Sequence, residues 1–390
     1  MQPIRGSEFG YEQARHLLLR AGFGGTPEQI RALTSMGPES AVDLLLEVER
    51  VPYAEDGASA FETGIIVALS PAEREQYRRA ARQGDEETLA KFRRLQQQME
   101  RSDRQQIERM QRWWLTRMIE TPRPLEEKLT LFWHGHFAAS HRKVENSEQM
   151  LAQNRMFREH AVGDYSKMLF GIVRDPAMLA YLDNQNSSKR QPNENLAREL
   201  MELFSLGEGQ YGEEDIREGA RALTGYSFDG AQFVFREEAH DAGAKTILGR
   251  TGPLDGEGFV QAILEQPACP RYIALKLYRF FVDSAVPDDP RESPYATQQA
   301  IKAIAADIRS SSYNIRPALR RLFLSQHFYD PANSANQIKS PVELVVGAVR
   351  TLGTPVRDLG VLNDALDRMG QDLFFPPSVA GWEGGRTWIN

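Results

Sequence analysis

The chain has 390 residues, a formal charge of −7, an apolar content ordinary for a globular protein and one cysteine, Cys269. A single thiol excludes intramolecular disulfides and cysteine-rich zinc sites, and the acidic balance argues against a nucleic-acid-binding face. No apolar run approaches the roughly 20 residues needed to span a bilayer, and the opening MQPIRGSEFGYEQARHLLLR has no apolar signal-peptide core.

Helical periodicity dominates from the start. Tyr11–Ala21 is amphipathic and stops at Gly22. Thr26-Pro27-Glu28-Gln29 reads as a capping box with proline at the first helical position, and Ser70-Pro71-Ala72-Glu73 repeats it. Val51–Thr63 between them reads as a variable loop. From about Glu86 to Glu120 a helical pattern runs without glycine or proline, on a seam of Leu89, Phe92, Leu95, Met99, Ile107, Met110, Trp114 and Met118. Its charged middle, Gln97–Arg112, has only a sparse seam, so this stretch and the helix before it should project from the body or pair loosely.

A further helix runs from about Pro124 into FWHGHF. Others are expected at Ser147–His160, Tyr165–Val173, Asn193–Leu206, Glu213–Thr224, Gly256–Gln266, Pro270–Val282, Thr297–Arg309, Arg316–Leu324, Pro341–Leu352 and Leu359–Met369. The one β element lies between Tyr226 and Leu248, with Phe228 and Phe233–Phe235 on one strand and Thr246–Leu248 as its partner. The expected fold is mainly α. It is a multi-helical single body over 1–390, with 70–120 as a long projecting helical arm and 226–250 as a small β-hairpin insertion.

Chemistry concentrates between Tyr181 and Tyr226. Asp183, Asn184, Asn186, Ser187, Ser188, Lys189, Arg190 and Asn193 form a loop with almost nothing apolar. Pro192 and Asn193 then open a helix, with Asn193 as its N-cap. Leu196, Leu200, Leu203 and Phe204 make its core stripe, and Asn195, Glu199 and Glu202 share the face beside it. Glu194 and Arg198 are spaced to pair with each other, and Gly207 or Gly209 ends the helix. Polar groups set against a buried face must be bonded, paired or put to use.

Two histidine motifs join this segment. His134-Gly135-His136 can chelate a metal if Gly135 breaks the helix; in a continuous helix the rings would point about 200° apart. His240-Asp241, followed by Gly243 and Lys245, suits a metal ligand, a base with its orienting carboxylate, or an anion site. The plainer reading is a structured turn capped by Asp241. Walker loops, Rossmann glycines, HExxH and Gly-x-Ser-x-Gly are all absent.

Long stretches of this chain, namely FWHGHFAAS, YLDNQNSSKRQPNENLARELMELFSLGEGQYG, HDAGAKTILG, KLYRFFV, KSPVELVVGAVRTLG and GWEGGRTWIN, resemble the bacterial domain-of-unknown-function family 1800. The opening ARHLLLRAGFGGTPEQI fits as well. The resemblance implies no particular reaction. It implies a partner, since family members often lie beside genes for alkaline-phosphatase-like proteins. Members often carry export signals, whereas the absence of one in this sequence gives a cytoplasmic default. Members usually continue past Trp388-Ile389-Asn390, so a further C-terminal helix is expected beyond this sequence.

The reading that draws these together is an enzyme, a metal-dependent hydrolase or a relative of one. Its pocket would gather Glu199, Glu202, His240, Asp241 and Lys189 as catalytic groups. Asn184, Asn186, Ser187, Arg190, Asn195 and Lys245 would bind substrate, and His134 and His136 would hold one divalent metal ion. The alternatives are a metal-free carbohydrate-active enzyme using two glutamates about 5 to 10 Å apart, and a non-catalytic scaffold for the phosphatase-like partner.

Overall fold

The structure, a computed structural model, describes residues 1–53, 61–334, 336–356 and 358–389. Of the loop expected at Val51–Thr63, residues 54–60 lie outside the described residues. Its far end is anchored, with Phe61 edge-on to Trp113 at 5.6 Å and Gln106 bonding both ways to the Glu62 backbone. Helices take 63% of the residues, in eighteen α-helices among the described residues, beside two two-stranded antiparallel sheets.

The arm begins at Pro71–Gln83, whose N-terminus is closed by the expected Ser70/Glu73 box and whose end is set by Gly84 at φ 67°. The arm helix proper, Glu86–Glu120, starts on Asp85, whose side chain accepts from the Thr88 amide. The two touch through Tyr77 and Phe92, ring centroids 5.6 Å apart. No residue of the arm helix before Asp103 is buried, while Asp103, Ile107, Met110, Trp114 and Met118 are. The portion before Asp103 thus has no buried residue, while from Asp103 onward one face of the helix enters the core.

The centre is the helix Pro124–His136, eleven of whose thirteen residues are buried. Burial of charge is costly unless it is paired, and this helix pairs it. Glu127 accepts from Arg117 Nε (2.9 Å), Arg158 Nε (2.7 Å) and Trp114 Nε1 (2.9 Å). Lys128 bonds Glu343 and lies over the rings of Phe23 and Phe280. Around this helix packs one continuous hydrophobic cluster drawn from nearly every helix of the body.

Two local departures from the expected pattern matter for the site. The helix expected over Asn193–Leu206 is α-helical only over Asn195–Met201 and widens into a π turn, Glu202–Leu206, closed by Gly207 at φ 83°. Ser205 Oγ donates to the Leu200 carbonyl, satisfying an acceptor at this widening. Asn193 still caps, one residue ahead of the boundary, by accepting from the Asn195 amide (3.0 Å).

The β region is two hairpins, not one. Tyr226–Asp229 pairs with Gln232–Phe235 across Gly230 (φ 57°), and Lys245–Ile247 pairs with Arg250–Gly252 across Leu248 (φ 51°) and Gly249 (φ 85°). Both are two-residue loops with left-handed residues, the turns that match strand twist. Such tight local closure outcompetes the long-range pairing expected between 228–235 and 246–248.

Candidate functional site

The residues singled out in the sequence occupy three settings. The first is the helix Pro124–His136, which runs unbroken through Gly135. His134 and His136 therefore leave it on different sides, and the extended chelate that an interruption at Gly135 would have allowed does not form. His134 is fully enclosed, its ring within 5.3 to 5.6 Å of Trp114, Phe374 and Trp382. Neither ring nitrogen has a protein partner, and burial drives its pKa down to about 3. His136 bonds the Phe204 carbonyl (2.9 Å) and stacks on Phe132; burial, then the charge of Lys276, lowers it to about 3.

The second setting is the polar loop with the His240 turn, which the fold stitches together. Gly225 N donates to Ser187 O (3.1 Å), and Lys189 N to Ala239 O (2.7 Å). Asn184 is buried, its amide bonding the carbonyls of Leu223 and Tyr226, and Ser187 Oγ accepts from Asn193 N (3.0 Å). His240 Nδ1 donates to Thr224 O (2.8 Å). Asp241 pairs with Arg221 (2.8 Å), which with the Gly243 amide holds its carboxyl at about 2 against burial. Lys245 is buried, and its ammonium donates to the carbonyls of Asp241 and Gly243. Asn184, Ser187, Asp241 and Lys245 are thus committed to holding the turn. The side chains of Asn186, Lys189, Arg190 and Asn195 are exposed.

The third setting is the glutamate face. Burial, then the negative charge of Glu202, raises the Glu199 carboxyl, while Glu202 accepts from the Tyr211 hydroxyl (2.5 Å). Glu194 pairs with Arg198 as expected, and Arg198 also bridges to Glu213. No hydrogen bond, ion pair or ring contact joins the side chains of His134 or His136 to those of Glu199, Glu202, His240 or Asp241 among the described residues. Nor do the described residues contain a group of three or more His, Cys, Asp or Glu side chains placed to hold a metal ion.

A different constellation lies where the arm meets the body. A cleft of about 650 Å³ opens between the arm helix from Glu100 to Arg112, the short helix His141–Val144 and the helix Leu359–Arg368. On its wall His141 Nε2 donates to Asp103 Oδ2 (2.6 Å), and Asp103 Oδ1 accepts from the Ser147 amide (2.7 Å). Burial alone would raise the Asp103 carboxyl; the hydrogen bonds from His141 and Ser147 outweigh it and hold it below its usual range. With the Nε2 proton committed to Asp103, Nδ1 keeps the lone pair, and within the described residues it has no hydrogen bond. Asp372 lines the same cleft. Burial, then repulsion from Asp367, pushes its carboxyl up to about 6, with Gln111 and Arg142 opposing. Phe375 joins the two groups, its ring edge-on to His141 at 5.4 Å and its amide bonded to Asp372 O (3.1 Å). Seven carboxylates line the cleft against three arginines.

Residues 16–390 match the family described as "Protein of unknown function (DUF1800)". The chain belongs to this family. No curated protein and no solved structure matches it. No helix among the described residues of this DUF1800 member is long and apolar enough to cross a membrane.

The cleft pair escaped the sequence reading, although one signal was there. Asp103 lies at i−4 from Ile107 and i−7 from Met110, on the very seam that runs from Met99 to Trp114. A carboxylate on an apolar seam must find a buried partner.

Proposed function

We propose that this DUF1800 protein is a hydrolase working by acid–base catalysis in the cleft at the root of the arm. The observation that carries the proposal is the buried Asp103–His141 pair sharing one cleft with an aspartic acid, Asp372, whose pKa is close to neutral. In this reading His141 Nδ1 takes a proton from an attacking water, and Asp103 orients the ring and stabilises the imidazolium. Asp372, protonated at mildly acidic pH, gives its proton to the leaving group. The excess of carboxylates favours an uncharged or cationic substrate over an anionic one.

The test is a panel of chromogenic esters, phosphoesters and glycosides turned over by the wild type and by His141→Gln and Asp372→Asn. General acid–base groups typically contribute about 100- to 10,000-fold, so a folded His141→Gln should lose at least about 100-fold. Asp372→Asn should remove the ionisation near pH 6 from the rate profile. Full activity in a folded His141→Gln variant sinks the proposal.

The glutamate face supports a second reading, a carbohydrate-active enzyme using Glu199 as acid and Glu202 as base. It is favoured by the contrast between a raised Glu199 and a hydrogen-bonded Glu202, and by the π turn that begins at Glu202, a feature frequent at functional sites. Loss of glycoside turnover in Glu199→Gln but not in His141→Gln would select it.

A further inference from the structure

A second cavity, of about 790 Å³, lies against the central helix. It is walled by Leu131 and Phe132 of that helix, by Phe280, and by Trp382 and Trp388 of the C-terminal segment. Its volume is in the range typical of small-molecule sites, which are mostly apolar with a few placed polar groups. Its polar lining includes His136, Arg279, Asp288, Gln337 and Gln371, and among these groups stands Lys276, from the helix Ala268–Phe281.

Lys276 has no ion-pair partner of its own: the nearest opposing charge, Asp288, is bound to Arg279 and acts on it only at longer range. Its one contact of note is the Tyr272 ring, 5.1 Å from Nζ, and within the described residues it forms no hydrogen bond and no ion pair. The other charges around the cavity are spoken for or lie at its rim. Arg279 is held by Asp288 (2.8 Å) and by the Val286 carbonyl (2.8 Å). Glu343 is neutralised by Lys128 behind the wall. Glu383 and Arg386 are both exposed and of opposite sign. Among the described residues, these pairings leave Lys276 as the half-buried lining cation without a hydrogen bond or ion pair, beside the rings of Phe132, Phe280, Trp382 and Trp388. Burial, then Arg279, lowers the Lys276 pKa, the mark of an ammonium kept where its charge is costly.

We propose that this cavity binds an organic monoanion with an apolar body, an aromatic or medium-chain carboxylate. Lys276 Nζ receives the carboxylate while Phe132, Phe280 and Trp382 enclose the body. One unpaired, half-buried lining cation among the described residues matches one negative charge; a phosphate dianion would bury a second charge without a partner. The proposal does not depend on the cleft at the arm, since it concerns a different cavity and a different chemistry.

The probe is anilinonaphthalene sulfonate, a fluorescent monoanion with an apolar body, titrated into the full chain. Lys276→Met, which keeps the length and removes the charge, should weaken its binding at least tenfold, and Lys276→Arg should retain it. Phenylacetate and decanoate should displace the probe from the wild type, and their relative potency tells an aromatic from an aliphatic ligand. Decanol and inorganic phosphate should displace it at least tenfold less well. Unchanged binding in a folded Lys276→Met variant overturns the proposal. So does equal displacement by decanol, which would make the charge irrelevant, or by phosphate, which would make the apolar walls irrelevant. Should Lys276→Met fail to fold, the wild-type displacement series decides the matter alone.

Discussion

Replacing His134 by phenylalanine tests whether the central helix carries an idle imidazole or a working one. The ring is fully buried, both nitrogens lack protein partners, and its pKa is about 3. Unfolded histidine titrates near 6.5, so between those values the unfolded chain binds a proton that the native chain refuses. A folded pKa depressed in this way makes stability fall as pH falls through the window from 6.5 towards 3. At pH 5 the loss from this one residue is about 2 kcal/mol relative to pH 7.5, taking about 1.4 kcal/mol per pH unit below 6.5.

The substitution also removes two unsatisfied polar atoms from an aromatic cage, worth about 1–3 kcal/mol, against an overpacking cost of similar size. Those packing contributions do not depend on pH and cancel when the two pH values are compared. Urea denaturation at pH 7.5 and 5.0, followed by circular dichroism, should therefore show that His134→Phe loses about 2 kcal/mol less than the wild type on acidification. An identical pH dependence in the two proteins would refute the reasoning. Such a result would mean that the folded chain carries the imidazole protonated at pH 5, with a partner for it in solution.

Other outcomes follow from the same kind of accounting. Glu127→Gln leaves Arg117 and Arg158 buried beside a weakened acceptor and should cost about 3–5 kcal/mol by urea denaturation. The Asp175 carboxyl is pushed up to about 7 by burial, so it favours the fold at low pH and opposes it as pH rises from 4 to 7. Asp175→Asn should abolish that loss, which reaches about 4 kcal/mol, and be the more stable protein at pH 8. Gly381→Ala combines φ 77° with a Cβ that would sit 2.1 Å from the Gly135 carbonyl oxygen, and a drop of at least about 3 kcal/mol is expected, measured as a fall in melting temperature. Limited proteolysis should cut first between Pro71 and Ser102, where almost nothing is buried.

Local chemistry was legible in the sequence wherever neighbours in the chain decide it. The Thr26/Gln29 and Ser70/Glu73 boxes form as expected, and the Glu194–Arg198 pair closes one helical turn. The plainer reading of His240-Asp241 as a capped turn describes its geometry, but its main anchor, Arg221, lies twenty residues away and no spacing rule points to it. Lys245 is buried in the same turn, its ammonium donating to the carbonyls of Asp241 and Gly243, a wrapping that its spacing alone does not announce. The Asp103–His141 pair joins residues 38 apart on two helices. Their meeting depends on how the arm helix docks, which periodicity does not specify. The π turn was equally hidden, since one added residue in a turn leaves the apolar pattern nearly intact over so short a helix.

The arm helix has a mechanical consequence. It is one rod without glycine or proline from Glu86 to Glu120, and the same rod that supplies Asp103 and Gln111 to the cleft extends 17 residues before Asp103 with none of them buried, about 25 Å at 1.5 Å per residue, paired with the helix Pro71–Gln83. A tilt of about 5° about its root moves the tip by about 2 Å for that length and shifts the Asp103 wall by a small fraction of it. The geometry works as a lever: whatever grips the tip gains leverage over the width of the cleft, and whatever fills the cleft is reported, enlarged, at a distant surface.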